Sequence, residues 1–102
     1  MVKDIQLDRT TDTRERRTFE IEQGKVLSFR VQLEVRTKGR WKPVIRWDTA
    51  HGFVDCDRYN LQGEKIKSIL NLSLEAGLSR AQNDLNRNWH IYRQRFLEGL
   101  FP

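Results

Sequence analysis

One segment concentrates the residue types that do chemistry: Arg46-Trp47-Asp48-Thr49-Ala50-His51-Gly52, continuing through Phe53-Val54-Asp55-Cys56-Asp57-Arg58-Tyr59. It holds one of the two histidines, the only cysteine and three aspartates of a 102-residue chain. His51 is suited to general acid or base work, because an imidazole exchanges a proton near neutral pH. Asp48, three residues earlier, could orient the ring, and Arg46 could clamp a phosphate or a developing oxyanion. A base, an orienter and a cation are parts enough for metal-free RNA cleavage. The plainer reading has Asp48 and His51 bonding to loop amides and shaping a turn.

Asp55 and Asp57, with Asp48 and His51, offer oxygen and nitrogen donors of the kind Mg²⁺ or Mn²⁺ takes. The i, i+2 spacing on a strand sets the two carboxylates about 7 Å apart, wide for one ion. They read as ordinary sheet charges paired with Arg46 and lysines, so no metal and no cofactor is expected. Phe53 and Tyr59 stand beside cations (Arg30, Lys42, Lys67), a combination that can stack bases and hold phosphates. Cys56 behaves as a small apolar residue and His90 lies away from the others. No phosphate-cradling glycine loop, zinc spacing or nucleophile elbow is present.

The elements that position these groups follow from periodicity. Leu27, Phe29, Val31, Leu33 and Val35 alternate with polar residues, which predicts a strand with one apolar and one wet face. A three-residue loop, Thr37-Lys38-Gly39, then pairs Arg36 with Arg40 and sets Val35 against Trp41, Leu33 against Pro43, Val31 against Ile45 and Phe29 against Trp47. A second hairpin around Thr49 to Gly52 sets Asp48 against Phe53, Trp47 against Val54, Ile45 against Cys56 and an Arg46–Asp55 ion pair on the wet face. After a turn at Asn60 to Gly63, a strand runs from Lys65 to Leu72. Then the period lengthens: Leu74, Leu78, Ala81, Leu85, Trp89, Tyr92, Phe96 and Leu100 form one stripe of a helix. Ser73, or Ser79 with Gln82, could cap its start, and Gly99 suits its end.

The fold class is therefore α+β: an antiparallel meander of four to five strands with one long C-terminal helix on one face. All three tryptophans are expected in the joint between them. Residues 1 to 18, rich in turn formers and the run Arg14-Glu15-Arg16-Arg17, read as a basic arm or an edge strand, and 19 to 102 as a single domain. Strand parity puts Arg46, Asp48, Phe53, Asp55, Asp57 and Tyr59 on the open face with Arg30, Arg36, Lys42, Lys65 and Lys67.

Size and charge limit the function classes. A chain of 102 residues supports one core. A formal charge of +5 and a pI near 9.8 favour anionic partners. A lone cysteine excludes a disulfide-stapled scaffold and points to a reducing, cytoplasmic setting. No stretch is apolar enough for a signal peptide or a membrane span.

The pattern Val44-Ile45-Arg46-Trp47-Asp48-Thr49-Ala50-His51-Gly52, a Tyr59-Asn60-x-x-Gly63 turn and Asn88-Trp89-x-x-Tyr92-x-x-x-Phe96 resemble a group of small prokaryotic proteins similar to the TumE family, proposed toxins of toxin and antitoxin pairs. The similar sequences carry further histidines shortly after the Arg-aromatic-Asp-x-Ala-His segment, where this chain has Asp55, Cys56 and Asp57. The resemblance implies a toxin-like, RNA-directed role and a cognate antitoxin-like protein. The residues themselves leave open an RNA-cleaving protein, a non-catalytic module binding nucleic acid or protein, and a subunit that buries the open face in a homodimer.

Overall fold

The alternation at Phe29, Val31, Leu33 and Val35 does what period-2 patterning requires: all four side chains are buried on one face of a 13-residue strand. In the computed structural model, which describes residues 1–102, this strand is the third of six. The strands are β1 (Val2–Thr10), β2 (Thr13–Glu22), β3 (Lys25–Thr37), β4 (Arg40–Asp48), β5 (Val54–Tyr59) and β6 (Lys65–Leu70), followed by helix α1 (Leu74–Leu97). They form one antiparallel meander in sequence order. Residues 1 to 18 supply the edge strand β1 and the first part of β2, so residue 18 falls inside a strand.

The helix lies across the inner face of β3 and β4. Ser73 caps it, its Oγ accepting from the Ala76 amide at 3.1 Å. Leu78, Ala81, Leu85 and Phe96 complete a core with Phe29, Val31, Leu33, Val35, Val44, Ile45, Trp47, Val54 and Cys56. Gly77 is the point of closest approach, since a Cβ there would come within 2.6 Å of Val54 Cγ2. At the C-terminus Gly99 has φ +83°. The Leu100 amide donates to the Arg95 carbonyl and the Gly99 amide to the Phe96 carbonyl, closing the last turn.

Two hairpins depart from the expected register. Lys38 and Gly39 both have positive φ, 51° and 75°, and form a two-residue turn that pairs Thr37 with Arg40 and Arg36 with Trp41. That one-residue slip would turn all of β4 over. A bulge between the Glu34–Pro43 and Leu33–Ile45 pairs, with Val44 as the extra residue, restores parity beyond it. Pro43, which has no amide hydrogen for the ladder, suits the irregularity. Ile45 and Trp47 still enter the core, whereas Lys42 turns inward and Trp41 outward. Trp41 is thus not in the joint; the Arg14 guanidinium lies 4.0 Å over its ring. Trp47 is buried, and Trp89 packs against the core's margin.

The second departure is a shift of two residues. Thr49 stays with β3, its amide donating to the Phe29 carbonyl while the Phe29 amide donates to Thr49 Oγ1. The loop must then also use Phe53, and the pairs become Asp48–Asp55, Trp47–Cys56, Arg46–Asp57 and Ile45–Arg58. Sidedness survives, but partners change.

Near the β1–β2 turn the inner face is polar, while Phe19 farther along β2 packs against the core. Glu15, fully buried, accepts from Arg9 at 2.8 Å and from Arg17, and both arginines reach Asn86 Oδ1 on the helix. Arg93 binds Asp12 and Thr13 at the β1–β2 turn. At this end, ion pairs and hydrogen bonds join the hairpin to α1.

Candidate functional site on the open sheet face

The outer face of the sheet has no helix over it. The even-numbered residues of β3, Arg30, Gln32, Glu34 and Arg36, lie on it, with their register partners on β2 and β4. Arg46 Nε donates to Gln32 Oε1, Gln32 Nε2 to Glu34 Oε2, and Arg14 Nε to Glu34 Oε1, each at 2.5 Å. Arg46 also lies 5.6 Å over the Tyr59 ring, as Arg14 lies over Trp41. A cross-strand chain therefore runs Tyr59, Arg46, Gln32, Glu34, Arg14, Trp41, with an aromatic ring at each end.

The three candidate catalytic residues are near one another in sequence but not joined. His51 is exposed in the β4–β5 loop with its ring centroid 6.0 Å from that of Phe53. Asp48 Oδ1 accepts from the Ala50 amide at 3.2 Å, and Oδ2 is 3.9 Å from Arg30 Nε. No hydrogen bond links Asp48 to His51, and Arg46 is engaged by Gln32. The Asp48 carboxylate thus does the loop-shaping work of an Asx turn.

Among the residues predicted to bind nucleic acid, Phe53 and Arg30 are exposed, and Tyr59 is half-buried on the open face. Lys42 is a correction: the two-residue turn sets it on the other side, opposite Val35, where Nζ reaches the Leu61 carbonyl at 3.4 Å. Lys67 stays on the open face but is tied to Asp55 Oδ2 and Asp57 Oδ1, 3.2 Å from each.

The Arg46–Asp55 ion pair is absent, because Arg46 faces Asp57 and Asp55 faces Asp48. Asp48, Asp55 and Asp57 are all buried, and one oxygen of each lies within 4.8 Å of the others. They are closer than the strand spacing of Asp55 and Asp57 suggests. Burial pushes the Asp55 carboxyl up, and Asp48 beside it adds to the effect against the opposing pull of Lys67. Asp57 and Asp55 in turn push Lys67 up, holding its ammonium charged. Asp55 Oδ1 has no hydrogen-bond partner.

Sequence reasoning missed Arg16 and Thr18, assigned to the arm. Arg16, Thr18, Arg30 and Gln32 line a depression of about 110 Å³ on the open face. Through Thr18 and Arg30 it meets a larger one of about 390 Å³, whose wall includes Glu20, Ser28, Asp48, Thr49 and Ala50. The signal was present: in Arg14-Glu15-Arg16-Arg17 a strand's alternation sends Arg14 and Arg16 outward and Glu15 and Arg17 inward.

The architecture is that of an α+β sheet protein with one covered and one charged, open face. The chain belongs to the family described as a domain of unknown function, DUF7718, whose model matches residues 3–102. No curated protein and no solved structure matches it.

Proposed function

We propose that the open sheet face binds the phosphate backbone of single-stranded RNA, and that the protein is a cytoplasmic, RNA-directed module. The observation that carries this reading is the groove at Arg16 and Arg30. Arg16 makes no ion pair, and Arg30 has only the 3.9 Å contact with Asp48. Two nearly free guanidinium groups lining one groove match the oxygens of a phosphate, while the Thr18 hydroxyl beside them donates to Asp4 and the Gln32 amide is held by Arg46 and Glu34. Phe53 is an exposed aromatic in the β4–β5 loop, and a net charge of +5 favours approach of a polyanion.

Binding is favoured over metal-free cleavage by His51, because Asp48 is committed to the Ala50 amide and does not touch the imidazole. The resemblance to toxin-like proteins fits an RNA target and adds an antitoxin-like protein as a partner that would compete for this face.

The test is fluorescence anisotropy with a labelled single-stranded RNA across a salt series. Arg16→Ala with Arg30→Ala should weaken binding and flatten the salt slope by about 1.4, two phosphate contacts at roughly 0.7 each. His51→Ala should bind as the parent does and leave the RNA equally intact. Absence of binding by the parent at low salt defeats the proposal, as does a double variant that binds normally. Cleavage by the parent that His51→Ala abolishes would favour the catalytic reading.

A further inference from the structure

We propose that Asp48, Asp55 and Asp57 form a binding site for a hard divalent cation of about the size of Ca²⁺, for which the Lys67 ammonium substitutes in the cation-free protein. This inference is independent of RNA binding.

The first ground is geometry. Asp48 at the end of β4 and Asp55 and Asp57 on β5 bring one carboxylate oxygen each within 4.8 Å of one another, on the face away from the helix. Calcium takes oxygen ligands at about 2.3–2.6 Å, so opposed ligands stand about 5 Å apart. Magnesium, at about 2.0–2.1 Å, would need the three groups to close further.

The second ground is a buried oxygen with no partner. Asp55 is fully buried and its Oδ1 accepts no hydrogen bond, while its Oδ2 is held by Lys67. An acceptor shut away from water and left unpaired is costly, and a cation or a proton is what would satisfy it.

Charge supplies the third ground. Of the three carboxylates, Asp55 and Asp57 share the one ammonium of Lys67, Asp48 has only the 3.9 Å contact with Arg30, and Arg46, opposite Asp57 in the ladder, is engaged by Gln32. Asp57 Oδ1 is in ion-pair contact with Lys67 at 3.2 Å but also lacks a hydrogen bond. Lys67 is partly exposed and sits on a flexible four-carbon stem, so it can swing away. Asp48 also borders the larger depression, which offers a way in and room for the waters that complete the coordination.

The competing explanation is a proton shared between Asp48 and Asp55. Calorimetric titration with Ca²⁺ and, separately, Mg²⁺, in the absence of RNA, distinguishes the two. The expected result is one saturable Ca²⁺ site, tighter than that for Mg²⁺. Asp55→Asn and Asp57→Asn should each remove it. Lys67→Met should tighten it by about tenfold, because a competing positive charge a few ångströms away is gone. The gain in Lys67→Met keeps the test decisive even if an aspartate variant folds poorly. No saturable binding to either the parent or Lys67→Met overturns the proposal in favour of the shared proton. Binding that Asp55→Asn and Asp57→Asn leave unchanged overturns it too, since the ion then sits elsewhere. Because RNA is absent throughout, failure here leaves the Arg16 and Arg30 groove untouched, and failure of RNA binding leaves this site untouched.

Discussion

Asp48 and Asp55 face each other across the β4–β5 ladder, two buried carboxylates in directly opposed positions. Like charges so placed destabilise a sheet. Asp55→Asn removes one of them while keeping shape, and Lys67 retains Asp57 as a partner. In chelator-treated protein the variant should be more stable by about 1 kcal/mol, a rise of roughly 4–8 °C in Tm. Calcium should raise the Tm of the parent but not that of Asp55→Asn. Thermal unfolding with and without the ion checks both, and a variant that melts below the chelated parent contradicts the first.

Glu15 is the hinge of a different arrangement. It is fully buried between Arg9 and Arg17, which also hold Asn86 of the helix. Glu15→Ala leaves two guanidinium groups without their shared carboxylate, and a broken buried ion pair costs about 3–5 kcal/mol. Urea unfolding of Glu15→Ala and Glu15→Gln should show a large loss for the first and a smaller one for the second. A loss within about 0.5 kcal/mol for Glu15→Ala would mean that the β1–β2 hairpin is held by something else.

Gly77 sets helix propensity against packing. In an exposed helix, Gly to Ala gains about 1 kcal/mol. Here the added methyl meets Val54 Cγ2 at 2.6 Å and Phe29 Cζ at 3.3 Å, and overpacking of this kind costs about 1–3 kcal/mol. Gly77→Ala should therefore lower stability. Combined with Val54→Ala, its penalty should shrink, and a double-mutant cycle measures the coupling. Additive effects would show that the close approach relaxes freely.

Asp12 carries the acid dependence. The hydrogen bonds from Arg93 first, and then Thr10 and Thr13, hold its carboxyl well below the usual carboxylate range. A depressed folded-state pKa contributes stability above the unfolded pKa of about 3.9 and loses it as pH falls further. Asp12→Asn should thus be less stable than the parent at neutral pH, with the gap closing as pH is lowered from about 5 toward 2. Asp12 is well exposed, so the effect is small, under about 1 kcal/mol. A gap that does not vary with pH would remove the Arg93 ion pair as its cause.

The parts legible in the sequence are those where an apolar period meets a single core. Phe29 to Val35 and the stripe from Leu78 to Phe96 declare a strand and a helix, and parity alone puts Asp48, Asp55, Asp57 and Tyr59 on the open face. What stayed hidden depends on backbone choices that side-chain patterning barely records. Lys38 adopts a positive φ that is uncommon outside glycine, shortening the first hairpin, and Val44 then absorbs the slip. Thr49 keeps its bonds to Phe29 and so moves the next register by two, which separates Arg46 from Asp55 and creates the acidic cluster. Of the β1–β2 hairpin, the edge-strand reading of residues 1 to 18 anticipates β1, but the start of β2 is hidden for another reason. There Glu15 and Arg17 line the inner face and Arg14 and Arg16 the outer, so charge alternates with charge.

The extra residue at Val44 has a further consequence. On its turn side, where the two-residue turn sets the register, odd and even positions of β4 have exchanged faces relative to the rest of the strand, and Trp41 stands outside and meets Arg14. The two ends of the ribbon are thereby decoupled. Substitutions near Lys42 act on a sidedness opposite to those near Arg46, and deleting Val44, itself a core residue, would force both ends of β4 into one parity, so that either the turn end or the Ile45 to Asp48 end must change faces.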